Sequence, residues 1–349
     1  MRSVMGRRAP RVVIPALAAV LAAWLAAAGP VSAQPGPAPA GWAPAAAPAG
    51  VDAPDAQWIE VAGPDGHTQL TAVFRPAGTG PWPVVVDLHG AAGLTVVALT
   101  LARSLAAAGF LTVAGCWHAG GPPSPTFAGY VGCSQAPPLP AAAYDPALRA
   151  PRALVAAART LPGARADRVG VLGLSIGGYP AVAIASSDPG GAPGVQAVVA
   201  QGGIYAPVPQ LGPPLPWYAS DHVAALRAPL LLLHGTADTT VPVQQGRDYE
   251  QAARGGGAPV EAHYYDGVEH LVGFLPDSAE DARRRTVAFF GRHLAGSAAA
   301  PGRLPRTGAS GALGALAAAG AGVLGVGCAL RRRLPPPRPA RSAPGAPGK

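Results

Sequence analysis

Three side chains that together can break an acyl bond follow one another along the chain: Ser175, Asp238 and His270. Ser175 is the centre of residues 173–177, Gly-Leu-Ser-Ile-Gly, and glycines on both sides of a serine allow a sharp strand-to-helix turn. A serine hydroxyl becomes a good nucleophile when a base accepts its proton, and the base needs an acid that fixes its tautomer. We therefore interpret Ser175 as the nucleophile, His270 as the base and Asp238 as the acid.

The sequence around the acid and the base supports this interpretation. Four leucines at 230–233 precede Asp238, and the run that ends at Tyr265 precedes His270, so each group follows a predicted strand. Other residues remain open as alternatives, Asp221 or Asp266 for the acid and His263 or His293 for the base.

Apolar runs and Ala-rich amphipathic segments predict the elements that position these groups. The predicted strands are residues 58–62, 70–74, 84–88, 111–114, 169–172, 197–200, 230–233 and 260–265. The predicted helices are residues 96–108, 146–160, 178–185, 243–254 and 278–293. After a first pair of strands, strand and helix alternate, which indicates an α/β fold: a mostly parallel eight-stranded sheet with helices on both faces. Such sheets place their chemistry at the carboxyl ends of the strands.

Two further motifs support a family resemblance. Residues 234–242 have the pattern H-G-x-x-D-x-x-V-P, and residues 267–270 have the pattern G-x-x-H. Together with the turn at Ser175, they make residues 57–294 resemble an α/β-hydrolase of the dienelactone hydrolase type and, more distantly, the catalytic domain of prolyl oligopeptidases. The resemblance implies an α/β-hydrolase fold. The nucleophile of dienelactone hydrolases is cysteine, so Ser175 favours the esterase-like relatives over dienelactone as the substrate.

The fold also implies two backbone N–H groups that stabilise the oxyanion formed during attack, each by about 3 kcal/mol. One belongs to Ala91, in the His-Gly-Ala loop that follows the predicted strand 84–88, and the other to Ile176, next to the nucleophile. We expect His89 and Asp87 to brace this loop, with no role in proton transfer.

These features favour a serine hydrolase that cleaves carboxylic esters through a covalent acyl-enzyme. A peptidase of the same fold is one alternative, although the chain is too short for the propeller domain of prolyl oligopeptidases. A surface-binding protein that has lost catalysis is another, and the intact triad argues against it. The Pro-rich segments 120–140 and 206–217 are the expected pocket rim, and its apolar wall candidates are Trp117, Tyr130, Trp217 and Tyr218.

Cysteines and histidines limit the remaining chemistry. Cys116 and Cys133 lie in the predicted catalytic domain, whereas Cys328 lies in an apolar run near the C-terminus. Export favours a disulfide between the first two, and a pair of free thiols is the alternative. The histidines are scattered, without an H-E-x-x-H pattern or a Cys/His cluster, and no G-x-G-x-x-G follows the first parallel strand. We therefore expect no metal and no cofactor.

The formal net charge of +8 comes from the two ends of the chain, since ten of the 26 basic residues lie before residue 34 or after residue 308. The region between them has a net charge of −2, which argues against nucleic-acid binding. Arginines, an apolar run and the small residues 31–33 predict a signal peptide over residues 1–33. An uncleaved membrane helix is the alternative.

Residues 304–308 read Leu-Pro-Arg-Thr-Gly and precede 22 uncharged residues and three arginines, 331–333. This order resembles a sortase sorting signal, which implies transfer of the Thr307 carbonyl to peptidoglycan. A helix of 22 residues spans about 33 Å, close to the thickness of a bilayer core. A plain membrane anchor is the alternative, and the oligomeric state is left open.

The predicted organisation places the protein in the cell wall or on the outer face of the membrane of a Gram-positive-type bacterium. It comprises a signal peptide (1–33), a Pro/Ala-rich linker (34–56), a catalytic domain (57–294), a second linker (295–303), a sorting signal with an apolar segment (304–333) and a Pro-rich tail (334–349).

Overall fold

The computed structural model describes residues 41–119, 133–138, 144–187, 194–208 and 219–294. Within these residues a nine-stranded sheet has the order β1-β2-β3-β5-β4-β6-β7-β8-β9. The strands are β1 Trp42–Pro44, β2 Gln57–Ala62, β3 Thr68–Phe74, β4 Trp82–Leu88, β5 Leu111–Gly115, β6 Ala164–Leu174, β7 Ala197–Gln201, β8 Leu230–Gly235 and β9 Val260–Tyr265. The helices are α1 Val96–Ala107, α2 Tyr144–Thr160, α3 Gly178–Ser187, α4 Gln244–Gly255 and α5 Ala279–Leu294.

The predicted fold class, a mostly parallel sheet covered by helices, is confirmed, with nine strands where eight were predicted. The additional strand, β1, lies in the segment predicted to be a linker, and it pairs antiparallel with β2. Three residues ending in proline carry no strand periodicity that a sequence pattern would reveal. The indole of Trp42 donates a hydrogen bond to Thr160 Oγ1 at 3.1 Å. Tertiary contacts therefore define this strand.

In the order of the sheet, the neighbouring strands β5, β4, β6, β7, β8 and β9 pair in parallel. The pairs β1–β2, β2–β3 and β3–β5 are antiparallel. The central strands are covered on both faces, and Val84, Val85 and Val86 of β4 are all 0% exposed. This double burial explains their continuous apolar sequences. The parallel arrangement brings the carboxyl ends of β4, β6, β7, β8 and β9 to one edge of the sheet.

Helices α2, α3 and α4 pack on one face of the sheet, and α1 and α5 pack on the other. The N-terminus of α1 is capped by Thr95, whose Oγ1 accepts a hydrogen bond from Ala98 N at 3.3 Å. Gly170 of β6 lets α5 approach closely, since a Cβ there would lie 2.6 Å from the Phe290 ring. The helices thus fix a rigid sheet beneath the loops that follow its strands.

Among the described helices, none combines the length and apolarity needed to cross a membrane. The segments predicted as the signal peptide, the sorting signal with Thr307 and the apolar C-terminal span lie outside the described residues.

Candidate active site

Ser175 occupies a tight turn between β6 and α3 and has a left-handed backbone, with φ of 53°. Few residues other than glycine adopt this conformation, and those that do are enriched at functional sites. A Cβ at Gly173 would collide with the carbonyl of Gly177, and one at Gly177 would collide with the carbonyl of Leu88. The two glycines of the G-x-S-x-G pattern are therefore required by the close approach of backbone on both sides of the serine.

His270 and Asp238 form a buried pair beyond the ends of β9 and β8. Nδ1 of His270 lies 2.7 Å from Oδ2 of Asp238, and the two residues are 4% and 8% exposed. The other carboxylate oxygen, Oδ1, accepts hydrogen bonds from the backbone N–H groups of Thr240 and Val241, at 2.9 and 2.7 Å. Since Nδ1 donates to the carboxylate, Nε2 of a neutral His270 is left as the proton acceptor.

The electrostatics of Asp238 keep this carboxylate charged. Burial by itself raises its pKa, but the hydrogen bonds from His234 and His270, with a smaller contribution from Val241 N, outweigh burial and lower the pKa to about 2. Asp238 is therefore ionised at neutral pH and can stabilise a positive charge on His270.

Two loops carry the pair: the acid loop, residues 236–241, and the base loop, residues 266–270. Backbone and side-chain contacts join them, including Ala237 N to Val268 O at 3.0 Å and Gly267 N to Thr236 Oγ1 at 2.9 Å. Thr239 donates through both its N–H and its hydroxyl to Glu269 Oε2, each at 3.1 Å. The loops therefore form one cross-linked unit.

The segment after β7 connects this unit with Ser175. Gly202 has φ of 54°, and a Cβ on it would lie 3.0 to 3.2 Å from atoms of His270. Two residues later, Ile204 N donates to the carbonyl of Ser175 at 3.2 Å. The same short segment thus contacts both the candidate nucleophile and the candidate base.

The predicted oxyanion residues, Ala91 and Ile176, are buried beside Ser175. Ile176 directly follows the serine in the turn. The loop of Ala91 approaches Ser175 closely, since a Cβ on Gly90 would lie 3.4 Å from the Cβ of Ser175. This arrangement can bring two backbone N–H groups to the carbonyl oxygen of the acyl group that Ser175 attacks.

Aromatic rings pack against the loop that contains His89 and Ala91. His89 is buried, and its Nδ1 donates to Gly90 O at 2.8 Å, while Trp117 Nε1 donates to His89 O at 3.0 Å. The His118 ring stacks edge-on against His89, with centroids 4.4 Å apart. Burial lowers the pKa of His89 to about 4, against the opposing effect of its bond to Gly90. His89 is therefore neutral at pH 7.

The disulfide lies beside the same loop. Cys116 and Cys133 are joined, with S–S of 2.13 Å and Cα atoms 5.3 Å apart. Sγ of Cys133 accepts a hydrogen bond from Leu94 N at 3.4 Å and lies 3.9 Å from Nε2 of His89. The bond therefore ties the end of β5 to the surroundings of the oxyanion loop.

One expected pocket residue needs correction. Trp117 is 1% exposed and braces the backbone of His89, so it is a buried support where an accessible apolar wall was expected. Its position directly after the core strand β5 explains this burial. The other wall candidates, Tyr130, Trp217 and Tyr218, lie outside the described residues.

The alternative acids and bases have other surroundings. Asp221 is exposed in the short 3₁₀ helix Ala219–Ala225, and Asp266 accepts a hydrogen bond from Thr236 Oγ1 at 3.1 Å. His263 lies 3.9 Å from Asp281, and the ring of His293 lies 4.6 Å from that of Phe289. Asp238 and His270 are the pair that the structure brings into contact.

Sequence reasoning missed two features of the site. His234 contacts the acid Asp238, and the one signal for it was its place four residues earlier in the H-G-x-x-D pattern. Asp87 was expected to brace the oxyanion loop, but its Oδ2 is buried without a hydrogen-bond partner among the described residues. Burial raises the pKa of Asp87 to about 7. Within the same part of the chain no cluster of three or more histidine, cysteine or acidic side chains is arranged to hold a metal ion.

The parallel sheet with a serine on the turn after β6, and a histidine and an aspartate after β9 and β8, defines an α/β-hydrolase fold. The dienelactone hydrolase family model matches residues 70–294, and the chain belongs to this family.

Individual relatives are more distant. The "Putative carboxymethylenebutenolidase" of Azospirillum brasilense is 39% identical over 77 residues, which are 20% of this chain and 33% of that protein. The chain thus spans about a third of the length of this curated relative.

Solved structures share the fold. The crystal structure of the "Putative Dienelactone Hydrolase" of Klebsiella pneumoniae is 24% identical, with a TM-score of 0.53, and the match covers 67% of this chain and 98% of that one. The acylaminoacyl peptidase of Pyrococcus horikoshii is 16% identical, with a TM-score of 0.52, and the match covers 68% of this chain and 41% of the peptidase.

Proposed function

We propose that the protein is a serine hydrolase that cleaves carboxylic esters through a covalent acyl-enzyme. Ser175 Oγ attacks the acyl carbon while Nε2 of His270 takes the hydroxyl proton, and Asp238 stabilises the resulting imidazolium. The alcohol leaves with that proton. Water then attacks the acyl-enzyme with His270 again as the base, and the acid is released. The N–H groups of Ala91 and Ile176 stabilise the oxyanion in both steps.

The observation that carries this proposal is the buried pair of His270 and Asp238, with Nδ1 and Oδ2 2.7 Å apart. The pair holds His270 in the tautomer that accepts a proton at Nε2, which is the form a serine nucleophile needs. The conformation of Ser175 also supports the proposal. Its left-handed backbone places the hydroxyl on a turn that is packed between two backbone segments.

Ester cleavage also fits the family. Members named as dienelactone hydrolases and carboxymethylenebutenolidases act on the ester bond of a lactone ring, and Ser175 would give the same acyl transfer with an oxygen nucleophile. A peptidase is the second candidate, because a solved acylaminoacyl peptidase shares the fold. A panel of acyl esters of graded chain length, assayed beside a peptide panel, separates the two.

The decisive experiment replaces Ser175 by alanine. Ser175→Ala is expected to abolish ester hydrolysis and covalent labelling by a fluorophosphonate, because the attacking oxygen is lost. Ser186→Ala is the matched control: this serine is buried in the adjoining helix α3 and donates to Val182 O at 2.8 Å. The control should keep both activities. Undiminished labelling of Ser175→Ala would refute the proposal.

We further propose that the protein is exported by the signal peptide over residues 1–33 and anchored to peptidoglycan through Thr307. The charge pattern at the two ends of the sequence supports both steps. Thr307→Ala should release the protein from the wall fraction, since it alters the residue whose carbonyl is transferred. A variant that stayed in the wall at the wild-type level would exclude covalent anchoring and would leave the hydrolase proposal intact.

A further inference from the structure

His234 is a buried histidine that the proposed mechanism does not use. It is the next-to-last residue of the core strand β8 and is 1% exposed. Its Nε2 lies 3.0 Å from Oδ2 of Asp238 and 2.9 Å from the carbonyl oxygen of Val241. A carbonyl oxygen only accepts hydrogen bonds, and so does an ionised carboxylate. Nε2 of His234 therefore carries a proton and donates toward both oxygens.

Both oxygens of the Asp238 carboxylate therefore have hydrogen-bond donors within the protein. Oδ1 accepts from Thr240 N and Val241 N, and Oδ2 accepts from both His270 and His234. Two of these four donors, the backbone N–H groups, belong to the acid loop itself. The remaining two are histidines, and His234 comes from the rigid strand β8. His234 is therefore the contact that fixes Oδ2 relative to the sheet.

The ring of His234 is itself held in place. Helix α4 passes so close that a Cβ on Gly246 would lie 2.9 Å from Nδ1 of His234. Tyr264 of β9 pairs in register with His234, and the same Cβ on Gly246 would lie 3.5 Å from the Tyr264 ring. A buried ring between a helix and a neighbouring strand has little freedom to turn, so the direction of its Nε2–H bond is set by the fold.

We propose that His234 is a positioning residue: it holds Oδ2 of Asp238 at the point from which the carboxylate orients His270. This inference rests on the proposed function, because it acts through the acid of the proposed triad. His234 touches neither the substrate nor Ser175 in this scheme. Its loss should slow the chemical step without weakening substrate binding.

Three substitutions separate the hydrogen bond from the volume of the ring. Glutamine can place its amide N–H near the position of Nε2, asparagine is too short to do so, and phenylalanine fills the space without a donor. We expect His234→Asn and His234→Phe to lower kcat by about tenfold or more with an unchanged KM, because Oδ2 loses a buried donor. His234→Gln should recover kcat to within about threefold of the wild type.

A control variant and a count of active molecules separate a catalytic effect of His234 from a loss of folded protein. His263→Asn alters a histidine on the neighbouring strand β9 that contacts Asp281, and it should leave kcat unchanged. Rates are expressed per molecule labelled by fluorophosphonate at end point, so a partly unfolded sample does not mimic a catalytic defect. Wild-type kcat in His234→Phe, or a loss in His234→Gln as large as in His234→Phe, would overturn the proposal.

Failure of the His234 proposal can be distinguished from failure of the proposed hydrolase function. If Ser175→Ala remains active, the hydrolase assignment itself fails whatever the His234 variants do. If Ser175→Ala is inactive and the His234 variants behave like the wild type, the positioning role alone is wrong.

Discussion

Two buried aspartates lie near the same edge of the sheet, and their surroundings shift their pKa values in opposite directions. Asp238, after β8, has hydrogen-bond donors on both carboxylate oxygens, and its pKa is about 2. Asp87, in β4, has an Oδ2 without a partner among the described residues, and burial raises its pKa to about 7. Burial alone does not decide whether a carboxylate is charged, because the donors that replace water decide it.

The histidines of the two regions repeat the contrast. His270 and His234 both face the carboxylate of Asp238. His89 and His118 face each other and Trp117, and burial lowers the pKa of both, that of His89 to about 4. The region after β8 and β9 is thus held by a charged network suited to proton transfer. The region after β4 and β5 is held by neutral packing suited to fixing a backbone.

The largest expected effect comes from breaking the charged network. Asp238→Asn and His270→Ala should each lower kcat by about a thousandfold to ten-thousandfold, because the base loses its tautomer or is absent. His89→Gln, on the neutral side, should lower kcat far less, because it removes no proton carrier. Steady-state kinetics on one ester measure all three. A loss in His89→Gln as large as that in Asp238→Asn would show that the two regions are not functionally distinct.

The second prediction concerns Asp87 and the pH dependence of stability. Its pKa is about 7 in the folded protein and 3.8 in the unfolded chain, so folding takes up a proton between these pH values. The stabilisation is therefore full below about pH 4 and is lost as the pH rises through 7. In Asp87→Asn this titration is absent. Its free energy of unfolding relative to wild type should rise by up to about 4 kcal/mol from pH 4 to pH 8.

Urea unfolding of both proteins across this pH range measures the difference. A difference between Asp87→Asn and the wild type that stays constant from pH 4 to pH 8 would show that Asp87 is not protonated in the folded state at neutral pH.

The sequence predicted the elements of this contrast better than their contacts. Continuous apolar runs such as 230–233 predicted the parallel strands, because strands buried on both faces need apolar side chains at every position. The G-x-S-x-G pattern predicted the turn at Ser175, because only glycine fits where backbone approaches so closely. The apolar runs and the motif spacing therefore predicted the fold class and the positions of the candidate site residues along the chain.

Contacts between distant residues were not predictable in the same way. The sequence does not show that His234 points toward Asp238, since this depends on how β8 enters the acid loop. Trp117 was predicted as an apolar wall candidate of the pocket because it lies near a Pro-rich segment, but its position after a core strand buries it. The partner of Trp42, on a helix more than a hundred residues away, is equally invisible in a linear pattern.

The third prediction tests the neutral region through its disulfide. The intact mass of the purified, unreduced protein should be about 2 Da below the fully reduced value, because two hydrogens are lost. Reduction should lower the free energy of unfolding by about 3 kcal/mol in the chain-entropy model. The double variant Cys116→Ala, Cys133→Ala should show no change on reduction. Two thiols that alkylate in the folded, unreduced protein would contradict the prediction.

The smallest expected effect comes from the exposed contacts of the charged network. Glu269 accepts two hydrogen bonds from Thr239 and links the loops of Asp238 and His270, but it is only partly buried. A contact that water can replace contributes about 1 kcal/mol or less, so Glu269→Gln should lower kcat by no more than about fivefold. Asp266 accepts a hydrogen bond from Thr236 and so also links the two loops, and Asp266→Asn should lower kcat by a similarly small factor. The buried contact of His234 is expected to matter more than either, since no water takes its place beside Asp238. A larger loss of kcat in Glu269→Gln than in His234→Phe would reverse this order, and would mean that the spacing of the two loops limits catalysis more than the carboxylate's buried donors do.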